Sequence, residues 1–188
     1  MTRLRRAVRG ATTLLAALVA AAALSGCTVR FSTSGAGTQR FHHPDYQITF
    51  DYPNTLRETD DVRFDVTAGG RSTRDKAVAL YLDNDNMIVV ERATLRGSIT
   101  KDNLAEAQRE VEELVPQLGT LSEPGKQVER AGLPGLEYRL TLRSGKPSHI
   151  LFLFDGTVYY RVVCESTDQR RQQITEACDM VHRTLAHT

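Results

Sequence analysis

The feature that most constrains this chain is its first 27 residues. Arg3, Arg5, Arg6 and Arg9 form a positive segment, and no Asp or Glu occurs in residues 1–26. Ala11 to Leu24, ATTLLAALVAAAAL, is an apolar stretch dominated by Ala and Leu. At 14 residues it falls short of the ~20 that a membrane-spanning helix needs. A charged segment followed by a short apolar one has the form of a secretory signal. An uncleaved signal anchor is the alternative for the same residues. The body of the chain therefore folds outside the cytoplasm, where thiols meet an oxidising environment.

Leu24-Ser25-Gly26-Cys27 closes the apolar segment. It resembles a bacterial lipobox, which implies thioether diacylglycerylation of Cys27 and cleavage before it. Small residues at Ser25 and Gly26 let an extended backbone enter a narrow protease site, and the next position must supply a thiol for the lipid. Residues 1–26 are thus read as a lipoprotein signal peptide. The membrane is the first expected partner, reached through the lipid on Cys27. Thr28 to Arg40, TVRFSTSGAGTQR, is rich in Ser, Thr and Gly and has no apolar period. Together with Cys27 it is read as a flexible tether (27–40), with a reach of about 20 Å. An ordered N-terminal arm is the other possibility for this stretch. The globular domain is assigned to 41–188.

Without the signal, 20 basic side chains face 23 acidic ones. A mildly acidic body offers no basic footprint for nucleic acid. The hydrophobic content of 40% is enough for an ordinary core without a metal or several disulfides.

Within the domain, apolar residues at Tyr46, Ile48, Phe50 and Tyr52 alternate with polar ones, which predicts a half-buried strand. Val62, Phe64, Val66 and Ala68 predict a second, ended by Gly69-Gly70. Residues 77–82 and 87–95 predict two more, joined by the Asp83-Asn84-Asp85-Asn86 hairpin. From Lys101 to Leu118 the period becomes helical, with Leu104, Ala107, Val111, Leu114, Val115 and Leu118 on one face. Pro116 should end or kink that helix, and Gly119 should stop it. Strands are predicted at about 127–131, 135–143, 148–154 and 157–164. Ile150–Phe154 is apolar on both faces, as in a central strand. Asp155-Gly156 reads as a two-residue hairpin. A last helix runs from about Asp168 to Leu185, with Ser166 and Gln169 at capping-box spacing. Short connections make the sheet mainly antiparallel, with helices on both faces. The fold class is α+β.

The lipobox, the short tether and the opening Tyr46-Gln47-Ile48-Thr49-Phe50-Asp51-Tyr52-Pro53 resemble an actinobacterial LpqN-type lipoprotein. The second half fits as well: Gly135-Leu136-Glu137-Tyr138, a strand pair and a final helix. Twenty Arg against four Lys suit a GC-rich genome. The resemblance implies a PsbP-like α/β/α sandwich and a non-catalytic scaffold, with no catalytic residues to carry over.

The residues themselves signal little chemistry. There is no G-x-S-x-G elbow and no C-x-x-C. Gly119 to Gly125 with Lys126 fails as a phosphate loop by one residue of spacing, and Gln127 replaces its Ser/Thr. Asp83–Asn86 lacks the Gly and Glu of a calcium loop, where Ile88 and Thr94 stand instead, and reads as a solvated turn. His42-His43 could bind a metal only with further ligands, and the sequence signals none; the pair reads as part of the exposed entry to the domain. His149, His182 and His187 are dispersed, and whether one meets Ser148 or Asp155 is left to the fold. The sequence therefore assigns no catalytic residue, no metal and no cofactor.

Of three cysteines, Cys27 is taken by lipid, which leaves Cys164 and Cys178. Cys164 shares a strand face with Val158, Tyr160 and Val162, and Cys178 lies on the stripe of the following helix. A helix folded back over the sheet brings both thiols into one layer, so a Cys164–Cys178 disulfide is expected; two buried free thiols are the alternative. The functional expectation is a non-enzymatic binding or accessory protein, anchored at the extracytoplasmic face of the cell membrane. Its partner would be an unknown envelope protein or lipid. An uncovered part of the sheet, or the loop edge at 69–76 and 83–86, is the expected interface. A carrier of a lipid or other apolar ligand is the first alternative, and an envelope hydrolase with a dispersed site the second.

Overall fold

The computed structural model describes residues 37–60 and 73–188. The signal segment, Leu24 to Cys27, most of the tether and the predicted 62–68 strand lie outside the described residues. No helix among the described residues is long and apolar enough to cross a membrane.

The elements run β1 (Thr38–Phe41), β2 (Ile48–Pro53), β3 (Arg57–Thr59), β4 (Thr73–Asp83), β5 (Asn86–Ile99), α1 (Leu104–Leu118), β6 (Gly119–Leu121), β7 (Lys126–Arg130), β8 (Leu133–Leu142), β9 (Pro147–Glu165), α2 (Arg171–Thr184) and β10 (Ala186–His187). A seven-stranded sheet has the order β3-β4-β5-β9-β8-β6, with β7 also paired to β8, and a small sheet has the order β1-β2-β10. Every pairing among the described residues is antiparallel. The expected α+β class and mainly antiparallel sheet are what the chain forms.

The two faces of the large sheet carry separate cores. On one face Ile88, Val90, Leu151, Leu153, Tyr160 and Val162 pack with Ile48 and Phe50 of β2 and with Ile174, Ala177 and Val181 of α2. On the other, Leu136, Tyr138, Leu140, Ile150 and Phe154 pack with Leu104 of α1, and Val111 lies against them. Ile150 and Leu151 enter opposite cores, so the doubly apolar segment is indeed central, between β5 and β8.

Four local expectations are corrected. Asp155-Gly156 is no hairpin: β9 runs through it for 19 residues, pairing with β8 before it and with β5 after it. Gly156 takes a φ of +60°, and β5 loses register opposite it, between Thr94 and Ile99. The left-handed residue therefore bends one long strand from one partner to the next instead of reversing the chain. The tether ends sooner than read, because Thr38–Phe41 pairs with Phe50–Pro53 as a strand. Its alternation is weak, and only Phe41 of the four is buried.

The first helix, by contrast, ends where expected, at Leu118 just after Pro116, with Gly119 following it. Proline removes one helical hydrogen bond. The exposed carbonyls at this end find other donors: Arg143 Nη2 donates to Pro116 O at 3.0 Å, and Arg143 N to Leu118 O. Gly119 opens β6 at once, where a Cβ would come within 2.1 Å of Thr141 O. The Ser166–Gln169 capping box does not form. Thr167 instead precedes a short 3-10 turn, Asp168–Arg170, without a side-chain cap. Its N–H and hydroxyl donate to Asn86 Oδ1 at 2.8 and 3.1 Å. Asn86, assigned to a solvated turn, is buried and ties the β4–β5 hairpin to the start of α2.

Candidate functional site

Strand alternation sends Leu136, Tyr138 and Leu140 of β8 toward α1, so Glu137 and Arg139 face the α2 side. On β9, Ile150 also faces α1, which turns His149 the other way. Arg139 pairs with His149 across the two strands, so Glu137 is the diagonal neighbour of His149. Above them, Cys178 and His182 are four residues apart on α2 and share one face. These placements converge on one point. His149 Nδ1 lies 3.7 Å from Cys178 Sγ, and His182 Nε2 lies 3.8 Å from the same sulfur. The two imidazoles meet edge to face, with centroids 4.7 Å apart.

The Nε2 of His149 is 2.9 Å from Glu137 Oε1. Burial holds the His149 ring below its ordinary pKa, so it is neutral at pH 7. An ionised carboxylate only accepts, so the ring proton must be on Nε2, and the Nδ1 lone pair points at the sulfur. Burial is the largest single influence on the Glu137 carboxylate and works against it, but the His149 hydrogen bond, the neighbouring His149 and His182 rings and Arg130 at 3.7 Å together outweigh it. Its carboxyl is therefore held below the usual range. His182 is pushed down to about 4, first by burial and then by the neighbouring His149. The cluster opens into a cleft of about 570 Å³ that also carries Glu129, Arg139, Asp179 and Arg183.

Cys164 and Cys178 are joined by a disulfide, with Cα atoms 6.1 Å apart. Cys164 and Cys178 belong to the same core as Tyr160 and Val162. The other sequence candidates are scattered. His42 is exposed, and His43 Nδ1 accepts from Asp45 N at 3.2 Å. His187 Nε2 does meet Asp155, 3.3 Å from Oδ2, joining β10 to the bend in β9. Ser148 Oγ is buried with no hydrogen-bond partner, so no base activates it. Of the expected loop edge, 69–72 lies outside the described residues and 73–76 begins β4. Residues 83–86 line a polar cleft with Thr167, Gln169 and Arg170.

The sequence alone does not place His149 beside His182. The Cys178–His182 spacing was a usable signal, but placing His149 under that face needs the register of β8 with β9.

A second cleft, of about 330 Å³, lies between the end of α1 and the sheet, walled by Val89, Leu118, Leu142, Ile150 and Val163. At its floor Arg161 Nη2 and Glu91 Oε2 form a buried ion pair at 2.5 Å.

No protein-family model matches the chain, and no curated protein sequence does. Solved structures do. Cyanobacterial PsbP (CyanoP) from Synechocystis sp. PCC 6803 superposes with a TM-score of 0.54 at 15% identity, over 84% of this chain and 96% of that one. LpqN of Mycobacterium tuberculosis, a protein involved in cell envelope biogenesis, gives 0.53 at 15% identity, over 81% of this chain and 91% of LpqN. A Bacteroides thetaiotaomicron protein gives 0.52 at 12% identity, over 82% of this chain and 49% of that one. The chain has the PsbP-like fold, in the form that LpqN also takes.

Proposed function

We propose that this protein is an exported lipoprotein of the cell envelope, held at the membrane by diacylglycerylated Cys27, whose globular domain is a non-enzymatic binding or accessory module. The observation that carries this reading is Leu24-Ser25-Gly26-Cys27 behind an arginine-rich, then apolar, segment, in front of a domain with the fold of LpqN. Two features of the domain support binding over chemistry. The sulfur beside the histidine pair is engaged in a disulfide and is no nucleophile. The hydroxyl of Ser148 has no base to activate it. A short tether keeps the domain near the membrane, which raises its effective concentration toward envelope partners.

The mixed cleft beside α1 favours a second reading, a carrier of an apolar ligand with one polar group. Its volume of about 330 Å³ is at the lower end of small-molecule sites. The apolar walls would hold a chain or ring, and the Arg161–Glu91 pair would orient a polar head.

Crosslinking in intact cells, followed by mass spectrometry of what copurifies, tests the first reading against the second. One or a few envelope proteins, recovered in defined ratio and lost when the domain is deleted, are expected. Recovery of a lipid bound beside α1 with no protein partner would replace the accessory reading with the carrier.

A further inference from the structure

We propose that Cys178, His149 and His182 form a binding site for a divalent, thiolate-favouring metal ion of the zinc class, closed by the Cys164–Cys178 disulfide and opened by its reduction. The sequence reading assigned no metal ligand here; the fold creates the site by bringing β9 beneath α2.

For tetrahedral zinc, bond lengths of about 2.3 Å to sulfur and about 2.05 Å to nitrogen give edges of about 3.6 Å for S···N and about 3.4 Å for N···N. The two observed S···N separations are 3.7 and 3.8 Å, and all three ligand atoms lie within 4.8 Å of one another. Only the two nitrogens need draw closer, by no more than about 1.4 Å on that tetrahedral scale.

The ligand chemistry agrees. Glu137 accepts from His149 Nε2, the outer-shell contact that fixes the tautomer of a metal-bound histidine and leaves Nδ1 free to coordinate. The cleft beside the cluster supplies the approach and room for water at a fourth position. One sulfur and two imidazoles suit a borderline-soft ion rather than calcium or magnesium.

The disulfide is the gate. Its sulfur carries no anionic charge and is a poor ligand. A dithiol reductant opens it: two electrons and two protons pass to the sulfur pair, giving the Cys164 and Cys178 thiols, while the dithiol becomes a disulfide. Binding of M²⁺ then forms the Cys178 S–M bond and releases the Cys178 thiol proton to solvent. A disulfide oxidant reverses the sequence: the two cysteine sulfurs pass two electrons to it, the Cys164 thiol and solvent supply one proton each, it becomes a dithiol, the Cys178 S–M bond breaks and the ion leaves.

The test uses the full chain in detergent, with Cys27→Ser so that only these two cysteines remain, and cobalt(II) and zinc(II) salts as probes. Cys164→Ser should leave Cys178 permanently free. This variant is expected to bind one cobalt(II) without reductant and to show a thiolate-to-cobalt charge-transfer band with tetrahedral ligand-field bands. The oxidised parent should show neither and bind at least about 100-fold more weakly. The parent reduced with a phosphine should match the variant. His149→Ala and His182→Ala should each weaken binding by more than about 10-fold. Glu137→Gln, a positioning change, should weaken it by about 10- to 100-fold while leaving the band. The proposal is overturned if folded Cys164→Ser gives no thiolate band, or if the band survives the double His149→Ala, His182→Ala change. It is also overturned if the reduced forms unfold and zinc(II) does not restore the fold, since an ion held only by the native site must stabilise it.

Discussion

His149 of β9 hands its Nε2 proton to a hydrogen bond with Glu137 Oε1, 2.9 Å away on the neighbouring strand. The contact fixes which nitrogen faces α2, and it places an acid-sensitive pair under the helix that covers one core.

Acid should destabilise the domain through this cluster. His182 has a folded pKa of about 4 against 6.5 in the unfolded chain, and His149 is shifted in the same direction. Between those values the unfolded state binds more protons, so stability is complete above about 6.5 and falls as pH drops toward 4. Glu137, whose carboxyl is held low, loses its contribution in acid as well. Glu137 and Asp179 oppose the His182 shift, while His149 and Arg130 reinforce it. At about 1.4 kcal/mol per unit, His182 alone accounts for on the order of 3 kcal/mol. Urea denaturation at pH 7, 5.5 and 4.5 should show the decline, and His182→Asn should flatten it. An unchanged slope in that variant would contradict the assignment.

Replacing both Cys164 and Cys178 by alanine opens a covalent loop of about 15 residues and should cost about 3 kcal/mol in the chain-entropy account. Equilibrium unfolding without reductant measures this directly. A loss below about 0.5 kcal/mol would mean that the bridge contributes little beyond the packing of its neighbours.

Gly119 and Gly156 answer to different constraints. At Gly119 a Cβ would lie 2.1 Å from the backbone oxygen of Thr141, so Gly119→Ala must push β6 off β8 and should cost about 1–3 kcal/mol, the usual range for overpacking. At Gly156 the nearest atom to a Cβ is 3.7 Å away, and only the φ of +60° penalises a side chain. Gly156→Asn should therefore be tolerated better than Gly156→Val, which thermal melts of the two can rank.

Alternation at Tyr46–Tyr52 and Leu136–Leu142 and the helical stripes at Leu104 and Ile174 fixed both cores, because burial on a strand or helix face is a local periodic signal. Asp155-Gly156 misled because a positive-φ glycine serves a strand bend as well as a reversal, and only the partner strands decide between them. β3, β6 and β10 have two or three residues each, too few for any period to register. His149 escaped because its neighbours Cys178 and His182 come from an element 29 or more residues away, through a register that composition does not encode.

If the domain acts by binding, single substitutions of Ser148 or of His42, His43 and His187, none of which belongs to the histidine cluster, should leave cellular function intact when the fold is kept. Complementation by each folded variant checks this. A folded variant that abolishes a measurable turnover would replace the binding account with a hydrolase.

The anchor is tested by the mass of the mature N-terminal peptide, isolated from the membranes of cells that express the wild-type chain. The account predicts a peptide that begins at Cys27 and carries a diacylglyceryl thioether. A peptide with a free, unlipidated Cys27, or one that begins at another residue, would contradict it.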